Sequence, residues 1–404
     1  MGKDTANPMR ILVVSHTYTV DLNCNKLRQL AALAPEVSVT VAVPKWWAPG
    51  GVQWGRVVSQ PSHEGAFQVV PIANWSQQHQ GLLGFGWEAI TLLRRFRPHL
   101  IQVEQGTKAI AYAQFITLNR LLGLGAKNVV FTWWNVPYSL RGPAAWLEAY
   151  NLRHTHGAIA GNQDGANILR DRGYGGPLTV LPQLGVDEQH FAPQPQPTLA
   201  AQLNIGPQEF VVGFVGRFVE EKGLLTLARS LAELQHLPWK WLLVGRGSLK
   251  SAVMEQAIAH GFADRLIWVE NVPHADIPRY LNLMSVLVLP SQTSDRFKTL
   301  TSVGWKEQFG HVLIEAMACG VPVIGSSSGE IPHVIGSAGL VFAEGNVAEL
   351  RDRLLQLMQS PTWANTLGTQ GRDRVLQHYT NRVLAQQQFA FYQQLLSQEH
   401  PPTH

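Results

Sequence analysis

The sequence predicts an α/β protein built from two Rossmann-like domains, each a doubly wound parallel sheet. Three observations carry that reading. The chain has 404 residues, more than one hydrophobic core usually serves, since cores stop growing at about 250–300 residues. Short apolar runs alternate with helical periodicity through both halves, the pattern of parallel strands joined by crossover helices. Between the halves, 193–207 carries three prolines in its first five positions and then Gly206-Pro207, the composition of a linker. The expected divisions are a first domain over 9–195, a second over 205–378 and a last helix over 379–398.

In the first half, 10–14 reads as a buried strand ending in Ser15-His-Thr-Tyr18. A helix carrying Leu22, Leu27, Leu30 and Leu33 follows, then a strand over 37–43. This opening sets the 15–18 turn at the carboxyl end of a parallel sheet, where ligands bind in such folds. Thr17 and Tyr18 are therefore candidate cleft residues. From 46 to 86 clustered Pro, Gly, Gln and Trp point to loops and short elements. The amphipathic stretch 82–97 has Phe85, Trp87, Ile90, Leu93 and Phe96 on one side and Arg94, Arg95 and Arg97 at its end. It suits a helix packed on the sheet, with a peripheral membrane contact as the alternative. A strand over 100–103 leads to Glu104, and a helix over 109–122 to the strand 129–132. That strand ends in Trp133-Trp134-Asn135, two aromatic faces and an amide suited to a sugar. Short strands over 158–160 and 178–181 close the half.

In the second half, strands over 211–215, 241–244, 266–269, 286–289 and 321–324 alternate with helices. Directly after the first of these come Gly216 and Arg217, then Lys222 and Gly223, a glycine turn flanked by two cations suited to phosphate oxygens. Glu307 and Glu315 stand eight positions apart, with Phe309-Gly310 between them where a helix begins. Gly310 lets the backbone turn tightly, and the N–H groups of Gly310, His311 and Val312 offer the partial positive charge of a helix start to an anion. Gly320 and Pro322 end that helix. Helices over 350–357 and 383–396 complete the chain.

Gly216-Arg-Phe-Val-Glu-Glu-Lys-Gly223, Leu243-Val-Gly-Arg-Gly247, Val288-Leu-Pro-Ser291 and Glu307-Gln-Phe-Gly-His-Val-Leu-Ile-Glu315-Ala-Met-Ala-Cys-Gly-Val-Pro-Val-Ile324 resemble glycosyltransferase family 4. The resemblance implies the GT-B fold, two Rossmann-like domains facing a deep cleft, with the last helix crossing back to the first domain. It implies transfer of a hexose-type sugar from a UDP- or GDP-sugar to a glycan or lipid-linked acceptor, with the configuration retained and no metal ion. Glu307, Arg217 and Lys222 take the catalytic positions. Gly216, Asn271, Val272, Gln308, Phe309, Gly310, His311, Val312 and Glu315 join them around the donor: Glu315 on the ribose, Glu307 and 308–310 on the transferred sugar, 271–273 near the base. The leaving phosphate is expected to accept the acceptor's proton. Members usually carry a Gly-Gly pair at the first turn and a His near 134–135; this chain has neither. The alternatives are a non-catalytic nucleotide-sugar-binding protein, a phosphorylase or a sugar-nucleotide epimerase.

Composition narrows the partners. A net charge of +4 does not demand nucleic acid; an anionic cosubstrate suffices. Two cysteines, Cys24 and Cys319, make no disulfide framework and suit a reducing, cytoplasmic setting. The polar start, 1–8, reads as a short lead with no signal-peptide core, and no apolar run approaches the ~18 residues of a membrane span. His154 and His156, two apart, fall on different sides of a helix, and no metal-binding spacing occurs among the histidines.

Overall fold

The computed structural model describes residues 9–48, 56–298 and 301–398. The lead at 1–8 lies outside them, as does 49–55. The chain divides into two units: Met1–Gly185 with Asn381–His404, and Val186–Thr380.

The first unit carries an eight-stranded sheet in the order Leu178–Val180, Gly157–Ala160, Lys127–Thr132, Leu100–Val103, Met9–Val14, Val37–Pro44, Phe67–Ile72, Ser62–Glu64. All neighbours are parallel except the last pair, a hairpin. Ile11 and Val13 enter one apolar cluster while Leu12 and Val14 enter another, so both faces of the central strand are covered. That is why the strand is apolar without alternation. Helices Asn25–Ala31 and Asn381–Ser397 share the first cluster through Leu27, Leu30, Leu384 and Leu395. Leu395 lies so close to Gly157 that a Cβ there would stand 2.4 Å from its Cδ1, so only glycine fits under the last helix.

The second unit has six parallel strands in the order Leu266–Val269, Trp239–Val244, Phe210–Val215, Val286–Leu289, Val323–Ser326, Leu340–Phe342. In both units the strand order reverses once: between Met9–Val14 and Leu100–Val103 in the first, and between Phe210–Val215 and Val286–Leu289 in the second. The loops leaving such a strand pair diverge to opposite faces and open a crevice at their carboxyl ends.

Several expectations are corrected. The stretch 46–86 contains a full sheet strand, Phe67–Ile72, paired in register with Val37–Pro44; Gln68 and Pro71 break its apolar run. The helix expected over 82–97 spans only Glu88–Phe96, because Gly84–Phe85 pairs with Asn74–Trp75. Phe85 and Leu93 are buried, but Trp87 is 72% exposed rather than sharing their face. Leu22 is also exposed, in a 3₁₀ turn ahead of Asn25–Ala31. The strand Leu340–Phe342 and the helix Pro361–His378 were not expected. Cys24 and Cys319 are free and buried. Among the described residues no helix is long and apolar enough to cross a membrane.

Candidate functional site

In the second unit Gly216, Lys222, Glu307 and Gly310 lie close to the strand reversal. Phe210–Val215 runs into Gly216 and then a 3₁₀ turn, Glu220–Lys222, closed by Gly223 at φ +67°. A Cβ on Gly223 would come within 1.8 Å of the Pro290 carbonyl oxygen, just beyond Val286–Leu289. The two central loops therefore touch only because this residue is glycine. Gly223→Ala should lower stability by at least about 2 kcal/mol, since the left-handed conformation alone costs roughly 1–2; a fall in the urea midpoint at unchanged slope is the measurement.

That contact delivers Lys222 to Glu307. Lys222 Nζ lies 2.5 Å from Glu307 Oε2, with side chains 16% and 9% exposed. Ser291 Oγ, from the loop after Val286–Leu289, donates to the same oxygen at 2.7 Å. The Trp305 ring lies 5.0 Å from the ammonium, a cation–π contact. The backbone of Glu307 is fixed as well: Glu330 N donates to its carbonyl at 3.1 Å. A Cβ on Gly329 would stand 1.9 Å from that oxygen. A cation and a carboxylate are thus held nearly dry at one point.

The helix His311–Ala318 starts beside them. Its first residue follows Gly310, at φ +80°, and no side chain caps it. Gly310 abuts Leu289, whose Cδ2 a Cβ would approach to 2.8 Å, so the helix start sits at the end of Val286–Leu289. One turn further, Glu315 is buried and receives His274 Nε2 at 2.8 Å and His311 Nδ1 at 3.1 Å, both on Oε1. Burial pushes this carboxyl up, but the bonds from His274 and then His311 outweigh it and hold the group at about 2. His274 is raised in turn, chiefly by its bond to Glu315 against burial. Asn271, at φ +58° after Leu266–Val269, accepts from Arg246 Nη1 at 2.9 Å, with Val272 next to it. Phe309 packs edge-on to Tyr379 at 5.7 Å and is buried, so only its backbone can serve a ligand. Gln308 and Val312 are half-buried on either side of Gly310.

Arg217 stands apart from this cluster. Its side chain is 45% exposed and pairs with Glu221 at 3.6 Å, four positions on. Such a pair holds little energy and leaves the side chain free to turn toward an anion.

In the first unit most of the residues named from sequence have polar atoms engaged within the unit. Tyr18 is 2% exposed and its hydroxyl donates to Glu104. Gln183 ties three of the positions together, donating to Thr17 Oγ1 at 3.1 Å and Glu104 Oε2 at 2.6 Å while accepting from Trp133 Nε1 at 2.7 Å. Trp134 Nε1 donates to Val136 O, and Asn135 is buried. The residues sequence reasoning missed are His274, Ser291 and Gln183. Ser291 lay inside a quoted motif; the other two carry no local signal. Among the described residues no group of three or more His, Cys, Asp or Glu could hold a metal ion.

Residues 195–374 match the family model described as "Glycosyl transferases group 1". Among curated proteins, the GDP-mannose-dependent alpha-(1-6)-phosphatidylinositol monomannoside mannosyltransferase of Mycolicibacterium smegmatis is 29% identical over 216 residues, 52% of this chain and 55% of that one. The 2-deoxystreptamine glucosyltransferase of Streptomyces kanamyceticus is 29% identical over 230 residues, 55% and 56% of the two chains. The match thus spans about half the length of these relatives. Two solved structures cover nearly everything. A glycosyltransferase from Rickettsia africae superposes with a TM-score of 0.73 at 13% identity over 98% of this chain and 100% of that one. Anabaena HepE in complex with UDP and glucose gives 0.67 at 16% over 96% and 100%. At such identities the likeness shows the fold, which is the two-domain GT-B class expected from the sequence.

Proposed function

We propose, from the match of residues 195–374 to the group 1 glycosyl transferases and the resemblance to family 4, that the protein transfers a hexose-type sugar. The donor is a nucleoside diphosphate sugar carrying UDP or GDP, the acceptor a glycan or lipid-linked glycan, and the anomeric configuration is retained without a metal ion. The observation that carries this reading is the Lys222–Glu307–Ser291 cluster beside the uncapped helix start at Gly310. Lys222, Arg217 and the amides after Gly310 match a pyrophosphate; Glu307, already oriented, matches the hydroxyls of the sugar; Glu315 matches a ribose diol.

The same groups account for rate. As the bond from sugar to phosphate breaks, negative charge grows on the departing oxygen, and fixed cations and amides aimed there favour that state over the ground state. The departing phosphate takes the acceptor's proton on the face it leaves, so no protein nucleophile is needed.

The test is a panel of UDP-, GDP- and ADP-sugars, scored by release of nucleoside diphosphate with and without acceptors. Release lost on Glu307→Ala supports transfer, and free hexose phosphate as product would indicate a phosphorylase. Binding without turnover across the panel would leave a non-catalytic nucleotide-sugar-binding protein. NMR of the product decides the stereochemistry: an inverted anomer would remove the same-face mechanism.

A further inference from the structure

The strand reversal of the first unit holds a polar group not yet assigned a task. Ser15 to Thr17 leave Met9–Val14, and Glu104 and Gln105 leave its neighbour Leu100–Val103. Glu104 is consumed by Tyr18, Gln102 and Gln183. His16 is not. Its Nδ1 lies 3.0 Å from Gln105 Nε2 and 3.2 Å from Oε1, while its half-buried ring leaves Nε2 without a hydrogen-bond partner among the described residues.

We propose that His16, fixed by Gln105 at the strand reversal of the first unit, is the residue that hydrogen-bonds a hydroxyl of a neutral sugar; the inference rests on the transferase reading above. Placement singles it out. His99 and His156 each accept a backbone N–H, from Arg10 and Asn128, at the opposite, amino-terminal edge of the sheet. Orientation is prepared: Trp47 lies against the imidazole, ring centroids 4.6 Å apart, and is itself 3% exposed, so the ring plane is braced. The Trp47 indole N–H also lacks a partner among the described residues, an unmet donor beside the same ring.

The chemistry selects the ligand class. Burial pushes the His16 imidazole down to about 4, against a smaller opposing effect of the Gln105 bond, so the ring is neutral at ordinary pH. A neutral ring brings no positive charge to a phosphate. Gln105 can meet Nδ1 with its oxygen or its amide, so Nε2 is an acceptor in one tautomer and a donor in the other. A hydroxyl, which both donates and accepts, satisfies either. Sugar hydroxyls of this kind come from two sources, the acceptor and the transferred unit of the donor.

The experiment separates them in His16→Ala and His16→Asn, each checked for folding by thermal melting and for UDP and GDP affinity by thermal shift. One arm measures acceptor-free hydrolysis of the donor that the wild type turns over. The other records saturation-transfer NMR signals of α-methyl glucoside and α-methyl mannoside in the presence of UDP or GDP. The expected result is nucleotide affinity within twofold of wild type together with a drop of at least tenfold in one arm. A drop in hydrolysis assigns the hydroxyl to the donor sugar, and loss of the glycoside signal assigns it to the acceptor. Both arms unchanged in either folded variant would overturn the proposal. So would a wild type that binds UDP or GDP yet shows neither hydrolysis nor a glycoside signal. A wild type that binds neither nucleotide would instead remove the transferase reading, and this inference with it.

Discussion

Lys222→Ala is expected to slow nucleoside diphosphate release about 10²–10³-fold, the usual effect of removing one prearranged donor from a developing negative charge. The same substitution should also destabilise the protein. Lys222 Nζ sits 2.5 Å from Glu307 Oε2 in a pair whose side chains are 16% and 9% exposed, and removing one partner of a fully buried pair costs about 3–5 kcal/mol because the other charge stays behind. Residual exposure places the expected loss toward the low end, with Ser291 still donating to Glu307 Oε2. Two readouts are therefore confounded in the single variant, and the double substitution separates them. Adding Glu307→Gln to Lys222→Ala removes the stranded charge, so the urea midpoint should recover by at least about 1 kcal/mol of coupling, while turnover stays low. If Lys222→Ala released nucleoside diphosphate at the wild-type rate, the pair would be a structural ion pair and nothing more.

That pair also marks the limit of what the sequence makes legible. Lys222 and Glu307 each stand in a stretch whose residue types announce an anion site: a glycine turn after an apolar strand, and a carboxylate before a glycine-started helix. Their contact spans 85 positions and depends on the strand order, which no local pattern encodes. His274 lies 41 positions from Glu315 and looks from sequence like any loop histidine. In the first half, strands 9–14 and 100–103 are legible because burial on both faces makes them continuously apolar. Phe67–Ile72 is hidden because Gln68 bonds sideways to Thr40 and Pro71 interrupts the run. Tyr18 and Trp133 stand at the strand ends that the pattern marks, but their polar atoms are committed to Glu104 and Gln183. His16, held by Gln105 and braced by Trp47 instead, is equally unmarked by any local pattern.

Glu315 sets the second large effect, on stability against pH. Its carboxyl is held at about 2 in the folded chain against an ordinary 4.5, because the bonds from His274 and His311 outweigh burial. A depressed carboxyl contributes stability that is complete above its unfolded value and is lost as the pH falls toward its folded one. The acid loss attributable to Glu315 should therefore run from about pH 4.5 down to about 2, on the order of 3 kcal/mol. His274 behaves oppositely: its pKa is raised above 6.5 by Glu315, so its contribution is complete below 6.5 and fades as the pH climbs through the raised value. The His274 side chain is 52% exposed, so solvent screens its share and the alkaline slope should be shallow. Between about pH 4.5 and 6.5 both contributions are intact. The measurement is the urea midpoint of wild type minus that of Glu315→Gln across pH 2.5–8.5, a difference that cancels the other titrating groups. A plateau over 4.5–6.5 with a steep acid limb is expected, and His274→Ala should weaken the acid limb while abolishing the alkaline one. A difference that stays flat from pH 2.5 to 6.5 would mean that Glu315 is not held as an anion by its histidines, and a neutral acid there would make a poorer acceptor for a ribose diol.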